Sequence, residues 1–224
     1  MDRPCAARHN SFAPRLVVMA KRPVAGAVKS RLAGGLARGD SGIGTVGATR
    51  FYRTALRHTL VRLGTDPRWQ TYLAVSPGSA LMEGCWPSWP ILMRVPQGSG
   101  DLGARMQGLF DYLPPGPAIL VGSDIPGIRP AHIAVAFRRL GQADAVFGPA
   151  TDGGYWLVGL KRAPRRLVPF KGVPWSSAQT LAATCANLKG SAVALTSTLS
   201  DVDTAADFCG QRDMAVRLIG PAAV

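Results

Sequence analysis

The chain has 224 residues, 47% of them hydrophobic and 17% charged, which suits one globular domain and excludes a disordered chain or two large independent domains. Lys and Arg number 26 against 13 Asp and Glu, and the resulting formal charge of +13 favours phosphates, nucleic acids or anionic surfaces without choosing among them. No apolar run approaches the roughly 20 residues of a membrane-spanning helix, so no membrane partner is expected.

Residues 1–14 are polar, aperiodic and proline-containing and read as a flexible tail, with one domain over 15–224. The tail carries Arg3, Arg8 and His9 but no continuous apolar segment, so a cytoplasmic protein is expected. Continuous apolar runs at 16–20, 71–75, 118–122, 145–148, 155–160 and 192–195 predict strands buried on both faces. Helical spacing lies between or after them at 49–63, 102–113, 130–140, 176–188 and 204–219. This alternation predicts an α/β layer fold with a mostly parallel sheet. One interval differs: residues 145–150 and 155–160 are separated only by Thr151, Asp152, Gly153 and Gly154, a hairpin signal that predicts an antiparallel pair.

Ligands of parallel sheets collect beyond the carboxyl ends of the strands, so the residues following each apolar run are the candidates. Residues 21–32 carry Lys21, Arg22, Lys29 and Arg31 together with Gly26 and Ser30. Those cations and the loop's backbone N–H groups suit the oxygens of a di- or triphosphate, against the plainer reading of a solvated basic turn. The pattern is not the GxxxxGK[ST] phosphate loop, and no GxGxxG dinucleotide fingerprint follows the strand.

Asp124 follows the 118–122 run, where a carboxylate can meet a hard cation such as Mg²⁺ or shape the turn ahead of Pro126. Asp152 serves either its turn or a site. Tyr155 and Trp156, as successive strand residues, face opposite ways, so at most one is expected to line a pocket with Asp152. Asp201 and Asp203 share a face if extended and suit a cation, although Asp203 also suits a helix cap. Gln97, Gly98 and Asp101 precede a helical pattern; Asp101 is placed to cap it, and the glycines leave room for a base or ribose against the backbone. His9, His58 and His132 pair with no Ser or Cys, and a GxSxG elbow is missing, which argues against a serine hydrolase. Cys5, Cys85, Cys185 and Cys209 form no CxxC pair, so neither a zinc site nor a disulfide framework is indicated.

Taken in order, these segments resemble a bacterial family of uncharacterised glycosyltransferase-like proteins. The likeness rests on Met19-Ala20-Lys21-Arg22-Pro23 with Gly26 and Lys29-Ser30-Arg31-Leu32, on Gln97-Gly98 with Gly100-Asp101-Leu102-Gly103 and Arg105-Met106, and on Gly122-Ser123-Asp124-Ile125-Pro126-Gly127. Gly148-Pro149-Ala150 with Asp152-Gly153-Gly154-Tyr155-Trp156, Gly172-Val173-Pro174-Trp175-Ser176-Ser177 and Leu199-Ser200-Asp201-Val202-Asp203-Thr204 extend it over about residues 15–208. The resemblance implies a single-domain nucleotide-diphospho-sugar transferase (GT-A) fold, three layers αβα around a mostly parallel mixed sheet, in a cytoplasmic bacterial context. It implies a nucleotide donor held with Mg²⁺ or Mn²⁺, with Asp124 as a metal ligand and Asp203 and Asp201 as candidates for the second. The nucleotide would lie on Lys21, Arg22, Gly26, Lys29, Ser30, Arg31, Gln97, Gly98 and Asp101. Around Lys29 to Leu32 the chain is also similar to phospholactate guanylyltransferases. Ser30 replaces the family's usual Thr, and Ala205-Ala206 its usual Pro-Glu.

The leading expectation is a metal-dependent transferase moving a sugar from a nucleotide donor to a small acceptor. Lys29, with Lys21, Arg31 and the metal, would neutralise the leaving diphosphate, and Asp152 would be the base that deprotonates the acceptor. The close alternative is nucleotidyl transfer to a phosphorylated small molecule, which requires no protein base. A third class, a basic nucleic-acid-binding protein, rests on Arg50, Arg53 and Arg57 along one helix and on Lys161, Arg162, Arg165 and Arg166. No nucleic-acid motif accompanies them, so only non-specific charge contact with nucleic acid is expected.

Overall fold

The computed structural model describes residues 12–34, 44–88 and 90–200. Asp201, Asp203 and the helix predicted over 204–219 lie outside the described residues, as does most of the expected tail. Seven strands form one sheet in the order β3-β2-β1-β4-β6-β5-β7: β1 (Arg15–Lys21), β2 (Gln70–Ser76), β3 (Met93–Pro96), β4 (Ala118–Gly122), β5 (Ala145–Pro149), β6 (Tyr155–Leu160) and β7 (Val193–Leu195). Strand β6 runs antiparallel to both β4 and β5, whereas every other pair is parallel. The sheet is therefore mixed and mostly parallel, and the predicted antiparallel pair is β5 with β6.

The two faces of the sheet are legible along β1. Leu16, Val18 and Ala20 join a core layer with Tyr52, Leu56, Leu60 and Leu63 of α2 (Gly44–Gly64) and Ile133, Ala136 and Leu140 of α4 (Pro130–Gln142). Val17 points the other way, with Met106, Leu109 and Phe110 of α3 (Leu102–Tyr112), while the partly buried Leu181 of α5 (Thr180–Ala186) packs on the same layer. Side chains of successive strand residues alternate between faces, and both faces are covered by helices, which is why the strands read as unbroken apolar runs.

Three departures from the sequence reading have local causes. Strand β3 went unpredicted because it spans four residues, buries only Val95 and ends at Pro96, too little for a period to show. The one-turn helix α1 (Ser30–Gly34) is equally short. Helix α5 begins at Thr180, four residues later than expected; Ser176, with φ 55°, is left-handed and cannot be its first residue.

Strand β6 contains a bulge that reshapes the carboxyl edge of the sheet. Gly148 pairs with Leu157 and Pro149 with Tyr155, leaving Trp156 as an extra residue on β6. Trp156 and Leu157 consequently lie in the same core layer, and Tyr155 packs on the other. The bulged indole fits only because residue 148 is glycine: a Cβ there would stand 2.5 Å from the Trp156 ring.

Candidate functional site

The sheet's connections diverge at β1, which passes to β2 on one side and has β4 on the other. A crevice opens at such a switch point, outside the carboxyl ends of the strands. Here it is a cleft of about 690 Å³, a volume within the usual range of ligand sites. Its walls come from the ends of β1 and β4, the β1–α1 loop, the start of α3 and the start of β6.

At the centre, Lys29 Nζ stands 2.7 Å from Asp124 Oδ2. The lysine side chain is only 4% exposed, while the carboxylate retains 31% and so faces both the ammonium and the cleft. Lys29 has φ 51°, an uncommon backbone for a residue with a side chain, and the turn that imposes it delivers the ammonium to the end of β4. The carboxylate lies back over Gly122, where a Cβ would be 3.0 Å from Asp124 Oδ1.

A buried hydroxyl pair ties the two strand ends together beneath this ion pair. The Tyr52 hydroxyl of α2 accepts the Lys21 backbone N–H at 2.8 Å and lies 3.0 Å from Ser123 Oγ. Burial pushes the Tyr52 phenol up to about 12, so it stays a neutral hydrogen-bonding group at ordinary pH. Ser123 is 4% exposed, and its hydroxyl finds its partner in Tyr52.

The opposite wall is the first turn of α3. Asp101 caps the helix as expected, accepting the Ala104 N–H at 2.7 Å. Gln97 is buried, and its amide donates to the Ala20 and Ala74 carbonyls at 3.0 and 2.9 Å. Its own carbonyl oxygen accepts from Arg105 Nη1 at 3.2 Å. Tyr155, Trp156 and Trp175 complete the lining. Tyr155 and Trp156 pack on opposite core layers, as expected of successive strand residues, yet both reach the cleft, and Asp152 lines it with neither.

Of the residues singled out by sequence, Lys21, Lys29, Ser30, Gln97, Asp101 and Asp124 line this cleft together. Arg22 turns away and pairs with Glu83 at 2.8 Å. Gly26 and Gly98, with φ 79° and 81°, shape loops beside the cleft without lining it. Arg31 belongs to α1, but its side chain lies outside the described residues, as do Asp201 and Asp203. Asp152 is exposed and outside the lining; its carboxylate accepts the Gly154 N–H at 2.9 Å, closing its own turn. Tyr52, Ser123, Arg105 and Trp175 line the cleft without having been given a role from sequence. Tyr52 lies on the apolar stripe of α2 and reads as core, because spacing along a helix does not reveal where a hydroxyl ends.

No curated protein matches the chain at a significant level. Among solved structures, a candidate nucleotide-diphospho-sugar transferase from Desulfovibrio desulfuricans G20 superposes with a TM-score of 0.74 at 23% identity, over 92% of this chain and 98% of that one. A homologue of Mycobacterium tuberculosis Rv0371c from Mycobacterium sp. strain JC1 superposes with a TM-score of 0.53 at 18% identity, again over 92% and 98%. At these identities the likeness concerns the fold, which is that of the nucleotide-diphospho-sugar transferases. Residues 59–177, more than half of the sequence, match the model of a family described as "Uncharacterized protein conserved in bacteria". The chain belongs to that family, DUF2064.

Proposed function

We propose that the protein is a transferase acting on a nucleotide-activated donor in this cleft, moving a sugar from a nucleotide sugar to a small acceptor. The observation that carries the reading is the Lys29–Asp124 pair at 2.7 Å, held at the switch point of the sheet with the carboxylate still open to the cleft. A buried cation in a preformed crevice neutralises charge on a leaving diphosphate without reorganising when the bond breaks.

The residues fit a divalent cation of the Mg²⁺ or Mn²⁺ kind, which commonly binds through one or two carboxylates, with substrate oxygens and water filling the remaining positions. Asp124 would hold it; Asp203 and Asp201 are proposed for the second carboxylate. Such an ion supplies positive charge beside the donor's diphosphate. Lys21, Lys29 and Ser30 line the same wall and bind the phosphate oxygens, joined in this proposal by Arg31. The Tyr52–Ser123 pair holds the ends of β1 and β4 in register beneath them.

Nucleotidyl transfer is a second reading, favoured by a specific observation. Both described carboxylates of the lining are engaged, Asp101 as a helix cap and Asp124 with Lys29, and Asp152 holds its own turn outside the cleft. A phosphate nucleophile is already anionic and needs no proton acceptor, whereas a sugar acceptor's hydroxyl does. The two readings separate by product. Incubation with Mg²⁺ or Mn²⁺ and a panel of nucleotide sugars releases a nucleoside diphosphate in the first, while nucleoside triphosphates release pyrophosphate in the second. Neither release, with any donor and a mixed pool of phosphorylated and hydroxylated acceptors, would overturn both.

A further inference from the structure

Beside Gln97 and Asp101, which the sequence reading gives to the nucleotide, the cleft carries a further cation, Arg105, to which no role has been given. Arg105, on the first turn of α3, donates from Nε to the Asp101 carbonyl at 3.3 Å and from Nη1 to Gln97 Oε1 at 3.2 Å. Gln97 is itself fixed by its two bonds to the carbonyls of β1 and β2. The guanidinium is thus braced through a buried amide to two core strands, and no carboxylate pairs with it among the described residues. Its Nη2 group makes no bond to the protein there.

An arginine held this way has lost little freedom still to lose, and its planar fork matches a carboxylate or phosphate oxygen pair. Trp175 lines the same cleft; its ring packs over Gly103, where a Cβ would stand 2.7 Å from Cζ2, and its buried Nε1–H has no acceptor among the described residues. Met106 and Tyr155 continue this wall. The arrangement therefore joins one braced cation to an apolar and aromatic surface.

We propose that this end of the cleft is an anion subsite, in which Arg105 receives the carboxylate or phosphate monoester of a small acceptor whose apolar body lies on Met106 and Trp175. The assignment of that anion to the acceptor rests on the transferase reading; the binding site itself does not.

The same anion chemistry could instead come from the donor's diphosphate, seated on Lys21 and Lys29, so the test separates the two walls. The probe is phenyl phosphate, titrated into the intact chain while following the tryptophan indole N–H resonances, with Trp175→Phe identifying the relevant signal. We expect a saturable shift of the Trp175 signal, affinity weakened at least tenfold in Arg105→Ala, and a smaller loss in Lys29→Ala than in Arg105→Ala. Arg105→Lys keeps the charge and stem but loses the fork, and an intermediate loss is expected; this variant carries the test if Arg105→Ala does not fold. Affinity unchanged in both Arg105 variants, or lost in Lys29→Ala instead, would overturn the subsite. Failure of the transferase reading is read separately, because it appears as missing nucleotide turnover while phenyl phosphate still binds.

Discussion

Lys29 and Asp124 are 95 positions apart in sequence, yet their charged atoms meet at 2.7 Å between the loop after β1 and the end of β4. On the proposed reading the pair serves both stability and donor binding. Asp124→Ala leaves a 4%-exposed ammonium without this carboxylate. We expect a cost of about 1–3 kcal/mol, below the ~3–5 of a fully buried broken pair because Asp124 keeps contact with water. Lys29→Met should weaken nucleotide binding at least tenfold, about 1.4 kcal/mol, measured by calorimetric titration. Equal nucleotide affinity in the Lys29 variant would remove the phosphate role.

Tyr52 gives a pH signature at the base of the cleft. Its phenol is pushed up to about 12 by burial, from an ordinary value of 10.0. Between those two values the folded chain keeps this proton while the unfolded chain releases it, so stability falls as pH rises from 10 to 12. The contribution is fully present below 10, and the fall amounts to roughly 3 kcal/mol. Subtracting the unfolding free energy of Tyr52→Phe, measured in urea across that range, should isolate this slope. The substitution itself should cost about 1–3 kcal/mol, since the Lys21 N–H and Ser123 Oγ lose a buried partner.

The bulge predicts a coupled pair. Gly148→Ala places a methyl carbon 2.5 Å from the Trp156 ring and should destabilise by about 1–3 kcal/mol. Trp156→Leu removes the obstructing ring, so the double variant should be less destabilised than the sum of the two single variants. Additive costs in a double-mutant cycle would show that the glycine serves something other than room for the indole.

Asp152 is where sequence and structure give different emphasis. Its bond to the Gly154 N–H can be kept by an amide oxygen, so Asp152→Asn should retain the fold and lower turnover less than tenfold. A loss of a hundredfold or more with the melting temperature unchanged would restore it as the acceptor's base.

Much of the fold was legible because burial on both faces writes central strands as unbroken apolar runs: β1, β2, β4, β5 and β6 showed this way, β7 showed as an apolar run although Val193 and Leu195 are exposed at the sheet edge, and the glycine-rich turn announced the antiparallel pair. Strand β3 did not, being short and at the sheet edge. Residues after β1 and β4 were singled out by position and by resemblance, and strand order brings Lys21, Lys29, Ser30 and Asp124 into one cleft. Arg105 and Tyr52 escaped because their roles depend on long-range hydrogen bonds, from Arg105 through Gln97 to strands β1 and β2 and from Tyr52 to Ser123. The bulge at Trp156 likewise breaks the two-residue period on which strand facing was read.

Thermal unfolding with Mg²⁺ or Mn²⁺ against nucleotide sugars and nucleoside triphosphates, in the native chain and in Asp124→Ala, reaches the donor site directly. A donor at about 100 times its dissociation constant should add roughly 2.7 kcal/mol of stability. We expect that gain to require the cation and to disappear in Asp124→Ala. A gain that persists without the cation and in the variant, or no gain from any nucleotide, would contradict a nucleotide donor held at Asp124.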